Sequence, residues 1–196
     1  MEKISVSIDN YSAGKVYPCA LFIYGTYRED KTPNFGLFCW FSYCWDSELA
    51  VMACIGGSKL TKDRIHSQRM FSANLVTEPL IPLADYFGST QGYTHGKMDI
   101  PVEAESGKVL PVPVLKNSPW IYELEVSRTV QLEGSDLFIC KIRNILADKE
   151  LADKSKNDDD LINKSAPALW FGSGKYYAAN TVMLGKTGDW KDLFKK

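Results

Sequence analysis

The sequence predicts a mainly β, barrel-like fold with a few short helices, on three observations. Short runs rich in aromatic and β-branched residues recur along the 196-residue chain. Glycine- or proline-bearing turns separate them, and no long stretch carries an uninterrupted helical period. With 45% hydrophobic residues the chain is long enough to bury one substantial core, so 1–196 reads as one domain, with its core at about 16–177 and a surface tail at 185–196.

In chain order, Val16–Tyr27 reads as a strand that ends at a polar turn, REDKTPN. Asn34–Tyr43 reads as a second strand. Phe35, Leu37, Cys39 and Phe41 alternate with Gly36, Phe38, Trp40 and Ser42, and both sets are largely apolar, which predicts burial on both faces. Glu48–Ile55 reads as a third strand, closed by Gly56-Gly57. In SKLTKDRIHSQRM, Thr61 is the expected N-cap of a short helix, with Asp63 in its first turn and His66 facing solvent.

A strand follows at 71–75. Pro79 and Pro82 bracket a second helical piece before the glycine-rich loop GSTQGYTHGKMD. Residues 100–119 are proline-rich and read as extended chain. Trp120–Gln131 alternates Ile121, Glu123 and Glu125 with Tyr122, Leu124 and Val126, the period of a half-exposed strand. Gly134-Ser135 turns it into Asp136–Leu146. The tract DKELADKSKNDDDLINK reads as a solvated loop with a helical turn, and ALWFGSGKYYAANTVM joins aromatics to turn glycines. In the tail, Trp190 and Phe194 are placed to dock on a neighbour.

Composition narrows the function classes. A net charge of -1 supplies no basic face for nucleic acid or an anionic membrane surface. The N-terminal stretch MEKISVSIDNYSAGKV has no apolar core of signal-peptide length, and no uninterrupted apolar run reaches membrane-spanning length. The five cysteines are odd in number and sparse, which fits reduced thiols in a cytoplasmic protein. Cys39, Cys44 and Cys54 fall close together, but no C-x-x-C pair is present and the histidines number only two, so no metal site is expected. Neither a G-x-G-x-x-G fingerprint nor a nucleophile elbow occurs, and the glycines of GSGK read as turn residues.

The stretch GGSKLT is the anion candidate. The Lys59 ammonium, the Ser58 and Thr61 hydroxyls and free N–H groups at a helix start are the donors that a phosphate needs. A plainly capped helix would leave the same pattern.

The order Asn34-x5-Trp40, GGSKLT at 56–61, Asn74, then ADYFGSTQGYTHGKMD resembles the flavin reductase-like, FMN-binding split-barrel family that includes flavoredoxin, over roughly Val16 to Tyr177. The resemblance implies an FMN-binding split β-barrel. It places Asn34, Phe38, Cys39 and Trp40 beside the isoalloxazine ring, and Ala53, Cys54 and Ile55 on a strand lining it. Ser58, Lys59 and Thr61 match the phosphate turn. Ser89, Gln91 and Gly92 match a ligand-facing loop, Lys97 a lysine approaching the flavin, and Trp170 and Phe171 an aromatic stretch near the ring.

The implied function is a flavin reductase that takes electrons from NADH or NADPH and passes them through bound FMN to free flavin or an acceptor protein. The alternative is a flavoredoxin-like electron carrier without nicotinamide activity, and a blander one is a split-barrel module for haem, another flavin or nothing. No side chain is expected to act as a nucleophile, because the flavin carries the chemistry. A homodimer with flavins near the interface is also implied. The chain departs from the family in two places: Cys39 stands where serine or threonine is frequent, and Ser135-Asp136 where a histidine often precedes the next strand.

Overall fold

The computed structural model describes residues 3–5, 17–153, 155–179, 182, 184 and 187. The expected docking residues Trp190 and Phe194 lie outside the described residues. Among the described residues there are twelve strands: β1 (Cys19–Ala20), β2 (Phe22–Tyr27), β3 (Pro33–Phe38), β4 (Phe41–Trp45), β5 (Leu49–Gly56), β6 (Met70–Leu75), β7 (Ala104–Ser106), β8 (Pro113–Leu115), β9 (Trp120–Leu132), β10 (Ser135–Ala147), β11 (Ala168–Trp170) and β12 (Tyr176–Ala178). The helices of the described residues are α1 (Leu60–Gln68), α2 (Ile81–Ser89) and α3 (Asp158–Ser165), with a 3-10 turn at Glu78–Leu80.

Seven strands form one antiparallel sheet in the order β3-β2-β6-β9-β10-β5-β4. Its two edge strands, β3 and β4, are consecutive in the chain and joined only by Cys39 and Trp40. Laid flat, seven strands at roughly 4.8 Å spacing would hold those edges about 29 Å apart. A link this short spans about 10 Å. The sheet must therefore curl until its edges approach, and the Cys54 N–H donates to the Trp40 carbonyl at 2.9 Å as the chain crosses. The result is the expected split barrel.

This closure corrects the single strand expected over Asn34–Tyr43. The chain breaks at Cys39-Trp40 because it leaves one edge of the sheet to start the other. Val16–Tyr27 breaks likewise: β1 pairs with β11, while β2 enters the large sheet.

Phe71, Phe138, Leu124 and Ile55 are fully buried in the barrel interior, each stabilising it by about 1.5–3 kcal/mol. Phe22 on β2 and Phe41 on β4 meet there with ring centroids 4.3 Å apart, which ties the two ends of the sheet together. A second apolar layer packs Phe35 and Leu37 of β3 against Ala84 and Phe87 of α2.

Five local expectations are also corrected. Glu123 is not half-exposed but fully buried on β9. Burial alone would push its carboxyl up, yet bonds from the Leu110 N–H, the Asn144 side chain and the Lys108 and Val109 N–H groups hold it below the usual range. Lys59, not Thr61, occupies the N-cap position of α1, and no side chain caps it. His66 does not simply face solvent: its Nε2 lies 3.0 Å from Asp136 on β10, and its ring meets Phe138 edge-on. The charged tract 148–164, expected as a solvated loop with a helical turn, carries most of α3, a two-turn helix capped by Asn157 and rich in first-turn aspartates. Residues 100–119 are not plain extended chain, since β7 and β8 form a small hairpin there.

Candidate functional site

The glycine pair after β5 makes a tight exit from the sheet. Gly57 adopts φ 67°, and its N–H donates to the Gly134 carbonyl at 2.9 Å. That turn delivers Ser58 and Lys59 to the open N-terminus of α1, where backbone N–H groups lack intrahelical partners. Thr61, 3% exposed, turns inward instead and accepts a bond at 3.0 Å from the Asn34 side-chain amide, which also reaches Thr26 Oγ1 at 3.2 Å. Asn34 is fully buried and its Oδ1 has no partner among the described residues.

The loop after α2 closes over this corner. Gly92 packs so tightly that a Cβ there would lie 2.6 Å from Leu60 Cβ and 3.1 Å from Asn34 Oδ1. Gln91 Oε1 accepts from Lys59 Nζ at 3.5 Å, and the Tyr93 hydroxyl donates to Asp63 of α1. Lys97 is 2% exposed, and its ammonium has a single acceptor, the Phe87 carbonyl at 3.4 Å, with the Phe87 ring 5.5 Å away. Burial, then repulsion from Arg28 and Lys59, lowers its pKa to about 8. Arg28 donates to the Gly92 carbonyl at 3.2 Å and leaves its Nε without a partner. Among the described residues, Arg28, Lys59 and Lys97 make no ion pair. This pole concentrates cations that pair with no carboxylate among the described residues, together with free donors, so it suits an anion.

The far end of β3 is of the opposite character. From Asn34 to Cys39 the strand runs about 17 Å at roughly 3.3 Å per residue. It ends at a groove of about 280 Å³ lined by Cys19, Cys39, Trp40, Cys54, Met52 and Leu137. A neighbouring cleft of about 220 Å³ shares Cys39 and adds Phe38, Trp170 and Tyr176. Trp40 is 54% exposed, and burial pushes the Cys39 thiol up to about 12. Phe38 also stacks on Tyr24 inside the barrel, with ring centroids at 4.6 Å.

The residues singled out in the sequence therefore fall into two groups. Asn34, Lys59, Thr61, Gln91, Gly92 and Lys97 converge on the cationic pole, and Phe38, Cys39, Trp40, Cys54 and Trp170 on the apolar groove. Ala53 and Ile55 flank Cys54 on β5, but their side chains are fully buried inside the barrel, leaving only their backbone for a ligand. Ser58 is exposed beside Tyr93, Ser89 is the exposed last residue of α2, and Phe171 packs edge-on against Tyr177. Where a histidine is frequent in the family, Asp136 binds Lys62 and His66 of α1 instead.

Sequence reasoning missed Arg28, Tyr93 and Cys19. Arg28 carries no motif, but the β2–β3 register, with Thr26 opposite Asn34, puts the arginine just past β2 on the same corner. The sequence holds that signal only once the hairpin is paired.

A family model described as "flavin reductase like domain" matches residues 14–179. No curated protein matches the chain by sequence. Three solved structures share the fold at low identity. Flavoredoxin from Methanosarcina acetivorans is 19% identical with a TM-score of 0.83, over 98% of this chain and 100% of that one. The FMN-binding protein from Thermus thermophilus is 20% identical with a TM-score of 0.76, over 95% and 100%. A split barrel domain protein from Shewanella frigidimarina is 13% identical with a TM-score of 0.79, over 90% of each chain. With the family model matching most of the chain, and a closed sheet that carries an anion pole and an aromatic groove at opposite ends of one strand, this protein belongs to the flavin reductase-like family.

Proposed function

We propose that the chain is an FMN-binding oxidoreductase that accepts electrons from NADH or NADPH and passes them to free flavin or an acceptor protein. The observation that carries this reading is the cationic pole of Arg28, Lys59 and Lys97, unpaired among the described residues and one strand length from the aromatic groove.

The residues fit FMN on their own chemistry. A phosphate would supply the acceptors that the Arg28 Nε and Lys97 ammonium lack, and a polar N–H or O–H of the ligand would satisfy the orphaned Asn34 Oδ1. Bound FMN would supply the electron-transfer chemistry. The chain's own part is positional. Lys59 and the open N-terminus of α1 hold negative charge, Gly92 lets the loop backbone come close, and Trp40, Cys54 and Trp170 exclude water from an apolar surface. The flavin chemistry itself asks for no nucleophile from the side chains of the groove.

The visible spectrum of the purified protein, followed by rapid mixing with NADH and with NADPH, tests the reading. A yellow protein bleached within the dead time to seconds by one nicotinamide is expected; a protein that stays colourless after incubation with FMN overturns it. Likeness to the Methanosarcina flavoredoxin supports a second reading, a carrier whose flavin is bleached only by a reduced partner protein. The same mixing experiment separates the two.

We also propose a cytoplasmic homodimer. Among the described residues no helix is long and apolar enough to cross a membrane, and the edge strand β4 with its neighbour exposes Tyr43, Trp45 and Leu49, an apolar row suited to a second copy. Sedimentation showing a monomer at full flavin occupancy would count against the dimer.

A further inference from the structure

All five cysteines are free thiols, and folding regroups them. Proximity in sequence puts Cys39, Cys44 and Cys54 together. In the structure Cys44 lies on the edge strand β4 within the fields of Asp46 and Arg128, and Cys140 is buried in the barrel. Cys19, 20 residues upstream, joins Cys39 and Cys54 on one groove. The strand register explains the meeting: β1 pairs with β11 so that Cys19 stands opposite Trp170, and Trp170 lines the adjoining cleft with Cys39. The two thiols share the groove wall closely enough for each to shift the other's ionisation, Cys19 downward and Cys39 upward.

We propose that Cys19 and Cys39 are a redox-active pair that closes to a reversible intramolecular disulfide in the wall of the groove when the chain meets hydrogen peroxide. The partition of roles follows from the effect of each thiol on the other. Burial raises both thiols, but Cys39 acts to lower Cys19 while Cys19 acts to raise Cys39 further, so the thiolate is favoured at Cys19 and Cys39 is held protonated. Cys19 is therefore the attacking sulfur. Its thiolate displaces hydroxide from the peroxide, giving a Cys19 sulfenic acid and, after protonation, one water. The Cys39 sulfur then attacks that sulfenic sulfur. The S–S bond forms, the S–O bond breaks, the Cys39 proton leaves with the hydroxyl as a second water, and two electrons have passed from the thiol pair to the peroxide.

Cys54 is the poorer partner. It is fixed in the middle of β5, paired with Leu137 on one side, with its own N–H tied to the Trp40 carbonyl. Cys39, by contrast, lies in the two-residue link between edge strands, outside the ladder. Because burial disfavours both thiolates, the pair is slow at neutral pH. Its closure accelerates about tenfold per pH unit below the Cys19 pKa.

The test uses the full chain, reduced and then freed of reductant, without FMN and again with FMN added, so that the thiol chemistry and flavin binding are read separately. Hydrogen peroxide at pH 7 and pH 9 is followed by thiol titration and peptide mapping. We expect loss of two of the five thiols, a Cys19–Cys39 linked peptide, recovery with dithiothreitol, and the faster reaction at pH 9. Cys19→Ser abolishes the linked peptide and Cys44→Ser leaves it unchanged. Linkage of Cys39 to Cys54, a covalent dimer as the main product, or five intact thiols after tenfold excess peroxide at pH 9 overturns the proposal. Failure of FMN to bind while the linked peptide still forms would sink the flavin reading and leave the thiol pair standing.

Discussion

The two ends of β3 are built on opposite physical plans. The cationic pole is buried at its centre, where polar groups have been taken out of water with few partners among the described residues: Lys97 is 2% exposed with one acceptor, Asn34 Oδ1 has no donor and Arg28 Nε no acceptor. The groove is open, and its walls are apolar side chains that remain exposed, Trp40 above all. In the first region the cost of desolvation is already met in the fold, so a bound anion gains nearly the full strength of each charge-assisted bond. In the second, binding gains only the area it covers. The pole should therefore discriminate between ligands, while the groove adds affinity to any flat apolar group.

The largest effect should come from removing the pole's outer charges. Arg28→Ala with Lys59→Ala deletes two charge-assisted donors at about 1.5–3 kcal/mol each, a loss of about 100-fold or more in affinity for FMN. Riboflavin, which has no phosphate, should lose less than about threefold. Titration calorimetry with both ligands makes the comparison, and equal losses would show that the pole does not hold the phosphate.

Lys97→Met sharpens the contrast because it should move binding and stability in opposite directions. The side chains are similar in length, and the variant removes a buried ammonium held only by the Phe87 carbonyl. We expect FMN affinity to fall about 30-fold while the free protein melts a few degrees higher. A lower melting temperature would mean that the lysine serves the fold instead.

The pH dependence gives a smaller effect with a definite sign. The Lys97 pKa is depressed to about 8 in the folded chain, against 10.5 for the free side chain. Between those values the unfolded chain binds the extra proton, so stability of the free protein rises with pH through that window. A bound phosphate favours the charged amine, so FMN binding should weaken by about tenfold from pH 7 to pH 9.5. Riboflavin should change little over the same range.

How far the sequence reveals this contrast depends on whether each feature is local. The third strand, the hairpin at Gly134-Ser135 and the helix after Gly57 follow from residue period and turn chemistry, and the structure keeps them within one or two residues. The break at Cys39-Trp40 does not, since nothing there resembles a turn; it is imposed by closure of the whole sheet. Glu123 misled for the same reason. Its alternation with apolar neighbours is correct for a strand, but its partners at 108–110 arrive from a distant loop. Within the site, Lys59 and Asn34 are legible from motif and resemblance, whereas Arg28 and Cys19 reach it only through the β2–β3 and β1–β11 registers.

The smallest predicted effect tests the groove alone. Trp40 is held by its backbone, through the bond from the Cys54 N–H, so its indole can be removed without opening the link between β3 and β4. Half of that side chain faces solvent, and its contribution to binding is the apolar contact it makes with whatever lies in the groove. Trp40→Ala should cost about 1 kcal/mol, or about fivefold in affinity. The loss should be the same for FMN and riboflavin, because the ring is common to both and the phosphate lies at the other pole. A loss confined to FMN would mean that Trp40 communicates with Lys59 and Lys97, and the separation of the two ends of β3 into a selective pole and an indifferent groove would fail.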